Sequence, residues 1–284
     1  MFLAACIQMS SDTQVEENLK RAERMIRRAA SYGASLVVTP ENTALLGPQF
    51  HKVELAEPLD GQIGTLFAQL ADELGIYLLI GSLAEQRIDA SGEVDTQRCY
   101  NTSVLFNPKG DRIASYRKLH LFDVDVPGGL SILESESICA GDELVIAETD
   151  LGTIGLSICY DLRFPEHYRA LVDMGAELLA IPSAFTLTTG KDHWHTLLRA
   201  RAIECQAWVL APGQWGQHDA SGMRQSYGHS LIVDPWGNVV ADKGHGEGIC
   251  LAEIDLNYVR TVRKSIPVQN HRRLKNGLIT RAPR

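Results

Sequence analysis

The sequence predicts an α/β protein in which mixed β-sheets are covered by helices. Short apolar segments typical of strands alternate along the chain with longer segments whose apolar residues recur at helical spacing. Some of the predicted strands connect through helices, and others connect through tight turns, so parallel and antiparallel neighbours both occur. Several strands are apolar on both faces, which favours sheets buried between layers over a sheet that faces water.

The first elements form a strand–helix–strand crossover. The run FLAACIQM predicts a strand, and apolar residues at helical spacing over 15–32 predict a helix. Gly33 is expected to end this helix, because glycine readily adopts the left-handed conformation found at helix C-termini. The apolar run SLVVTPE predicts a second strand that ends at Glu41.

The next segment contains one helix and three strands. Amphipathic spacing over 62–74 predicts a helix that Gly75 ends, and YLLIGSLAE predicts a third strand. The runs CYNTSVLFNP and RIASYRKLHL predict two further strands, joined by a turn at 108–110 that contains proline and glycine.

The C-terminal half repeats the strand–helix–strand pattern. IGLSICYD predicts a strand, a helix is expected to begin at Pro165, and ELLAIPSAF predicts the next strand. A helix over 194–206 precedes the strand AWVLAPGQ. SLIVDPWGNVVAD predicts a hairpin that turns at 235–238, GICLAEIDL predicts the last strand, and 257–265 the last helix.

Composition and charge limit the classes of function. The chain has 284 residues, of which 45% are hydrophobic and 22% are charged, as is common in globular proteins. No linker, charge block or internal repeat is present, which favours one domain. A net charge of −8 without a basic stripe argues against a nucleic-acid partner. The basic stretch 260–284 is interpreted as a solvated terminal segment.

The sequence also predicts a cytoplasmic location without membrane contact. The segment MFLAACIQMSSD lacks the basic region and the long apolar run of a secretion signal. No stretch approaches the roughly 18 apolar residues that a transmembrane helix needs. The six cysteines are scattered and form no CxxC pair, so we expect reduced thiols and no zinc site.

Cys159 is the strongest candidate for a reactive group. It lies where a predicted buried strand ends and turns toward the helix that begins at Pro165. Backbone N–H groups of such a turn, together with the N-terminus of the helix, favour a thiolate and later an oxyanion. Cys159 is therefore a candidate nucleophile. The alternative interpretation is a buried core cysteine, because unpaired cysteine is among the most buried residue types.

Two charged residues occupy comparable places in the sequence. Glu41 ends a buried strand, and Lys118 lies near the end of another. Because functional groups gather at the carboxyl ends of strands, these residues and Cys159 are candidates for one site. There the carboxylate would act as general base and the ammonium would stabilise developing negative charge. Singly, Glu41 is also explained as a helix cap or surface carboxylate, and Lys118 as an exposed lysine.

Three motifs carry a resemblance to a known family. The motifs VVTPEN with Glu41, YRKLHLFD with Lys118 and SICYDLRFPE with Cys159 occur in this order. Together they resemble the nitrilase superfamily of carbon–nitrogen hydrolases, whose signature is a Glu–Lys–Cys triad. The similarity extends over 3–273, and three long motifs in the expected order are far more specific than a single short match.

The resemblance implies an architecture and an assembly. It implies a four-layer α-β-β-α sandwich, formed by one domain over 1–275 and followed by a tail over 276–284. No metal or cofactor is implied. Members of the family usually form at least a homodimer, and the helix that follows Cys159 and the C-terminal segment are the candidate interface.

The resemblance also implies a role for each site residue. Cys159 would attack an amide carbonyl carbon, and Glu41 would take the thiol proton and later activate water. Lys118 and the backbone N–H of Tyr160 would hold the oxyanion. Glu134, in the run LESES that follows VPGG, would position Lys118 or the substrate. We expect the positive charge of Lys118 to lower the pKa of the thiol.

Further side chains flank the pocket that the resemblance implies. Tyr160, Phe185 and Thr186 are candidate substrate-binding residues. Three arginines are interpreted either as structural ion pairs, for example with Glu166, or as anchors for a substrate carboxylate. Three histidines match no metal-binding spacing and are interpreted as structural. These residues are Arg163, Arg199 and Arg201, and His193, His195 and His229.

Longer segments point to one branch of the family. PSAFTLTTGKDHWHTLLRARAIE, QSYGHSLIVDPWGN and PVQNHRR resemble the branch of deaminated-glutathione amidases. The alternatives are an omega-amidase acting on α-ketoglutaramate-like amides, a nitrilase, and a non-catalytic oligomeric homologue. The segment Gly190-Lys191-Asp192 departs from the Gly-Pro-Ala of several relatives. Because Lys191 is expected near the pocket, this departure leaves the substrate preference open.

Overall fold

The structure, a computed structural model, describes residues 1–125 and 131–273. It contains two large β-sheets and the helices that flank them. The strands are β1 (Phe2–Gln8), β2 (Ala34–Val38), β3 (Tyr77–Glu85), β4 (Cys99–Phe106), β5 (Arg112–Arg117), β6 (Asp123–Asp125), β7 (Ser131–Leu133), β8 (Ile138–Cys139), β9 (Ile146–Thr149), β10 (Gly152–Leu156), β11 (Leu178–Ala180), β12 (Trp208–Ala211), β13 (Trp215–Gln217), β14 (Gln225–Tyr227), β15 (Leu231–Val233), β16 (Val239–Asp242) and β17 (Gly248–Ile254). The helices are α1 (Val15–Ser31), α2 (Gln49–Glu54), α3 (Gln62–Leu74), α4 (Pro165–Asp173), α5 (Leu187–Cys205), α6 (Leu256–Ser265) and α7 (Val268–His271).

Both large sheets are mixed. The first has the order β17-β1-β2-β3-β4-β5, with β8 paired to β4, and the second has the order β16-β15-β12-β11-β10-β9. In each sheet three central strands are parallel, namely β1, β2 and β3 in the first and β10, β11 and β12 in the second. Helices connect these parallel strands, as the geometry of parallel pairing requires, and the outer strands are added by hairpins and longer loops.

The sheets and helices form four layers. One hydrophobic cluster joins α1 and α3 to the outer face of the first sheet, with Ile26 and Phe67 at its centre. A larger cluster lies between the two sheets and continues to α4 and α5 on the far side of the second. The architecture is therefore an α-β-β-α sandwich, which confirms the predicted fold class.

Strand β1 shows why strands of this fold are apolar on both faces. Its side chains alternate between the two clusters: Ala5 and Ile7 face the helices, whereas Ala4 and Cys6 face the second sheet. All four are fully buried. Successive side chains of a strand point to opposite faces, so a strand that is covered on both sides must be apolar at every position.

Periodic elements occur where the sequence predicts them. Helix α3 and strand β3 have the predicted bounds, and Gly75 closes α3 in the left-handed conformation. Helix α5 begins at Leu187, seven residues before the predicted start at Trp194, because its first two turns are polar and carry no apolar period. Strand β2 ends at Val38, so Glu41 lies in the loop beyond the strand.

Several short elements have no counterpart in the prediction. These are helices α2 and α7, strands β8 and β9, and the ribbons β6–β7 and β13–β14. Each is too short to display a hydrophobic period. The predicted boundary at residue 275, the tail 276–284 and the VPGG segment lie outside the described residues. Within those residues, no helix has both the length and the apolar character that crossing a bilayer would require.

Candidate active site

Four loops bring the sequence-predicted residues together. Glu41 follows β2, Lys118 follows β5, and Cys159 follows β10. Glu134 begins a short 3₁₀ turn after β7. All four side chains border one cavity of about 380 Å³. The structure therefore places the four predicted residues in one site at the carboxyl ends of the strands, where loops of α/β folds commonly converge.

Lys118 is the electrostatic centre of this group. Its ammonium Nζ lies 3.0 Å from Oε1 of Glu41 and 2.9 Å from Oε2 of Glu134. Only 2% of the residue is exposed, and both carboxylates are also buried. Burial acts to lower the pKa of Lys118, but the carboxylates of Glu134 and Glu41 outweigh it and raise this pKa well above its ordinary value. The lysine is therefore a buried ammonium held by two carboxylates.

The carboxylate of Glu41 accepts several hydrogen bonds. Its Oε1 accepts hydrogen bonds from Lys118 and from the side-chain amide of Asn101, and its Oε2 accepts one from the backbone N–H of Ala184, at 2.8 Å. Burial acts to raise the pKa of Glu41. The cations of Lys118 and Lys52, with a hydrogen bond from the Cys159 thiol, hold that pKa below its ordinary value. The carboxylate is thus ionised at neutral pH and lies beside the thiol.

A close contact between the backbone of strand β3 and the loop after β2 positions the segment that carries Glu41. Gly81 of β3 lies against the carbonyl groups of Thr39 and Pro40, so closely that a Cβ atom at this position would fall 2.2 Å from the Thr39 oxygen. The N–H of Gly81 donates a hydrogen bond to Oγ1 of Thr39. Glycine is required here because any side chain would displace the loop that leads into Glu41.

Cys159 has an unusual backbone conformation. Its φ angle is +49°, in the left-handed region that residues other than glycine seldom adopt. It is the first residue of a 3₁₀ turn over Cys159–Arg163, and its N–H donates to the carbonyl of Pro182. Buried Asp161 stabilises this turn, because its carboxylate accepts hydrogen bonds from the N–H of Ile158 and from the hydroxyl of Tyr116. Strained backbone of this kind is common at functional sites.

Lys118 lowers the pKa of the Cys159 thiol, as expected, but the net shift of this pKa is upward. Burial raises the pKa of Cys159, and the negative charge of Glu41 raises it further. Lys118 acts in the opposite sense but does not reverse the shift, since two carboxylates already surround its ammonium. The thiol therefore keeps its proton at neutral pH.

The predicted binding residues also line the cavity. Tyr160 and Phe185 contribute aromatic rings, and Thr186 stands immediately before helix α5. Among the described residues, none accepts a hydrogen bond from the backbone N–H of Tyr160. This N–H therefore remains available at the turn that carries Cys159. The Phe185 ring packs against Trp194 at a centroid distance of 5.0 Å, which fixes its orientation.

Four cationic residues considered as pocket residues do not border the described part of the cavity. Lys191 is exposed on α5. Arg163 lies over the Phe185 ring and beside His193 rather than beside Glu166. Arg199 donates to the carbonyl of Gly237, and Arg201 to the carbonyl of Leu162 and to Glu204. The three arginines thus make structural contacts in this conformation.

Two groups that contain histidines lie outside the cavity lining, whereas His218 borders the cavity. His195 and His229 both contact the carboxylate of Asp242, at 3.2 and 3.1 Å. A second group lies under the Cys159 turn, where His120 is bonded to Asp161 and His167 lies close by. In each group three potential metal ligands lie within 4.8 Å of one another. These contacts are explained by hydrogen bonding, and the expectation that no metal takes part stays a prediction.

Some cavity and site residues are absent from the sequence prediction. The side-chain amide of Asn101 bridges Glu41 and Glu134. The sequence feature that could have indicated Asn101 is the run of polar residues within the otherwise apolar strand CYNTSVLF. Asp161 stands inside the cysteine motif. Lys52 and Arg224 also line the cavity. No sequence pattern indicated either residue, because α2 and the β13–β14 ribbon are too short to show a hydrophobic periodicity.

Comparison with known proteins identifies relatives that match almost the whole chain. The family model described as carbon-nitrogen hydrolase matches residues 3–264. The human protein "Deaminated glutathione amidase" is 45% identical over 273 residues, which cover 95% of this chain and 82% of the human protein.

Two solved structures share the fold. The Caenorhabditis elegans NitFhit protein has a TM-score of 0.87 and 43% identity, covering 96% of this chain; the chain spans 65% of that protein. Saccharomyces cerevisiae Nit3, described as a member of branch 10 of the nitrilase superfamily, has a TM-score of 0.83 and 32% identity, covering 96% of this chain and 97% of its own.

Proposed function

Because the chain belongs to the carbon–nitrogen hydrolase family and buries a thiol, a carboxylate and an ammonium in one cavity, we propose that it is an amidase that hydrolyses deaminated glutathione. The observation that carries the chemistry is the ionised Glu41 carboxylate beside the protonated Cys159 thiol. The substrate is supported by the human relative, which is 45% identical and is named for this activity.

Acylation begins with proton transfer. Glu41 takes the proton of Cys159 while the sulfur forms a bond to the amide carbonyl carbon. The carbonyl oxygen becomes an oxyanion, which the Lys118 ammonium and the N–H of Tyr160 stabilise. Removal of one such donor typically lowers kcat by about 10²–10³. The buried ammonium is well placed for this role because it is charged before the substrate arrives and needs no reorganisation.

The end of acylation and the whole of deacylation use the same carboxyl group. Glu41, now protonated, gives its proton to the leaving nitrogen as the carbon–nitrogen bond breaks, and a thioester to Cys159 remains. Water then enters, and Glu41 accepts one of its protons as the oxygen attacks the thioester carbon. As the carbon–sulfur bond breaks, Glu41 returns this proton to the sulfur of Cys159, and the acid product departs. One residue thus serves as base twice and as acid twice.

The other cavity residues position these groups. Glu134 holds Lys118 through both of its oxygens and is itself fixed by the N–H of Phe122, at 2.7 Å. It therefore acts through Lys118. Tyr160, Phe185 and Thr186 form part of the wall that the substrate contacts.

A steady-state assay tests the proposal. Purified wild type is compared with Cys159→Ala on deaminated glutathione and on α-ketoglutaramate, with Cys205→Ala, a buried cysteine of α5, as the matched control. We expect the higher kcat/KM on deaminated glutathione, retained in the control and lost in Cys159→Ala. A preference for α-ketoglutaramate would identify an omega-amidase instead. Turnover by Cys159→Ala would exclude the thiol mechanism.

We also propose a homodimer in the cytoplasm. All six cysteines lie in the described residues and none forms a disulfide, which agrees with a reducing compartment. The proposed interface comprises α4 and the segment after α6, where Met174 and Ile266 expose apolar surface.

A further inference from the structure

Lys52 places a second buried lysine in the active-site cavity. It stands on the short helix α2, only 6% of the residue is exposed, and its side chain borders the cavity. Among the described residues, none accepts a hydrogen bond from its ammonium, and no carboxylate lies within ion-pair distance. Lys118 differs in this respect, because two carboxylates hold it.

The Lys52 ammonium thus has no direct ion-pair partner among the described residues, and an anion that reached it would gain one. Lys52 also borders a smaller cavity of about 30 Å³, which has room for only one or two waters. Of the two cavities that Lys52 borders, the one of about 380 Å³ has room for an anion of several atoms. The position of Lys52 thus indicates a carboxylate supplied by the substrate.

A second cation lines the same cavity near its mouth. Arg224 lies in the loop between β13 and β14 and is partly exposed, and its neighbour Met223 is 64% exposed. Its guanidinium, like the Lys52 ammonium, has no acceptor among the described residues. His218 adds no positive charge at neutral pH, since burial lowers its pKa to about 4.

The charges of the lining favour a dianionic ligand. Lys118, Lys52 and Arg224 are cationic, and Glu41 and Glu134 are anionic, among the described residues that form the lining. Both carboxylates are already bound to Lys118. The charges left without a partner are therefore the two cations, one at the buried end and one near the mouth.

We propose that Lys52 binds the carboxylate of the acyl half of the substrate and that Arg224 binds the carboxylate of the leaving half. This inference rests on the proposed function, because deaminated glutathione carries one carboxylate on each half. The acyl half stays bonded to Cys159 until water enters, so it must occupy the closed end of the cavity. The leaving half must depart first, so it occupies the mouth.

Lys52 has a second effect that the test must separate from anchoring. Its charge helps to hold the pKa of Glu41 below the ordinary value. If that were its whole role, Lys52→Met would lower activity at acidic pH for every amide and would leave KM unchanged at alkaline pH. An anchor acts differently, because its loss raises KM at every pH and only for substrates with a carboxylate on the acyl half.

The kinetic test compares two substrates that share an acyl half. α-Ketoglutaramate has the same acyl half as deaminated glutathione but releases ammonia, so it lacks the second carboxylate. We expect Lys52→Met to raise KM roughly tenfold or more for both substrates, with partial rescue in Lys52→Arg. Arg224→Met should raise KM to a similar degree for deaminated glutathione alone. Lys191→Met and Arg24→Met, at exposed positions outside the cavity, are the matched controls.

An unchanged KM in Lys52→Met would overturn the assignment of the buried end. Equal effects of Arg224→Met on both substrates would overturn the assignment of the mouth.

A binding measurement separates this proposal from the proposed function. α-Ketoglutarate is titrated calorimetrically into Cys159→Ala and into Cys159→Ala with Lys52→Met. We expect binding in the first and at least tenfold weaker binding in the second, whether or not the wild type hydrolyses deaminated glutathione. Equal affinity, or no binding to Cys159→Ala, would overturn the role of Lys52 even in an active amidase. Thermal unfolding of each variant verifies that it is folded.

Discussion

Glu41 is ionised at neutral pH whereas Cys159 is protonated, and their surroundings explain the difference. Both side chains are buried, and burial alone would neutralise each of them. Glu41 faces two lysines and three hydrogen-bond donors, so its ionised form is favoured. Cys159 faces the charge of Glu41, so its neutral form is favoured. The proposed proton transfer from Cys159 to Glu41 therefore starts from a protonated thiol and an ionised base.

The first prediction follows from the double use of Glu41. Glu41→Gln keeps the size of the side chain and its contacts with Ala184, but an amide cannot take the thiol proton. We expect kcat to fall by roughly 10²–10⁴ with little change in KM. Steady-state kinetics measures the effect, with Glu148→Gln, at an exposed position on β9, as control. Near-wild-type kcat in Glu41→Gln would exclude its role as the base.

The pH dependence of activity provides a second prediction at this scale. The pKa of Glu41 lies below its ordinary value of 4.5, so the base is ionised above that pH. The pKa of Cys159 lies well above 9.0 and that of Lys118 well above 10.5, so neither proton is lost at neutral pH. We expect kcat/KM to be constant between about pH 6 and 8, with no limb from a titrating thiol. A rise with a midpoint in this range would contradict the assignment.

These shifts also set the sign of the stability change. The lowered pKa of Glu41 contributes stability above pH 4.5 that is lost as the pH falls through its folded value. The raised pKa of Lys118 contributes stability that is complete below pH 10.5 and is lost as the pH rises toward its folded value. The buried charge cluster therefore favours the folded state most strongly between these limits.

Among the local elements, the turn that carries Cys159 depends on one buried carboxylate. Asp161 accepts hydrogen bonds from the N–H of Ile158, the hydroxyl of Tyr116 and the N–H of His120. Asp161 is not itself one of the described residues that line the cavity. Its function is to hold a turn whose first residue has positive φ.

The prediction for this element is a variant that weakens the turn. Asp161→Asn retains the volume but turns an amide N–H₂ toward groups that also donate. We expect about 1.5–3 kcal/mol of lost stability, because charged hydrogen bonds are replaced by weaker ones. We also expect a lower kcat with nearly unchanged KM, since the thiol shifts while the walls remain. Denaturant unfolding and kinetics provide both measurements. A stability loss without a kcat change would make Asp161 purely structural.

The success of sequence-based prediction varied with element length. Helix α3 and strand β3 matched because many consecutive residues carry their period. Helix α2 has six residues and was missed, and with it Lys52. The motifs identified Glu41, Lys118 and Cys159, but not the proton on the thiol. That proton depends on how many carboxylates surround Lys118, which only the folded structure reveals.

At the scale of the whole molecule, two exposed apolar side chains lie on the segments that the sequence predicts to form an interface. Met174, which directly follows helix α4, is 45% exposed, and Ile266, between α6 and α7, is 48% exposed. An ion pair between Arg272 and Asp173 joins the segment after α7 to α4. These elements lie in the part of the chain that follows Cys159, which is where the sequence predicts an interface.

The assembly prediction is tested by charge at this surface. In a symmetric dimer each residue of the interface meets a twofold-related partner, so one added charge is felt twice. We expect the wild type to elute with twice the mass of a 31.3 kDa chain in light scattering, and Met174→Glu and Ile266→Glu to shift toward the single mass. Ile113→Glu, an exposed apolar position on β5 of the opposite sheet, should remain dimeric. A monomeric wild type at micromolar concentration would contradict the proposed dimer. Glutamate variants that remain dimeric would show that the interface does not include Met174 and Ile266.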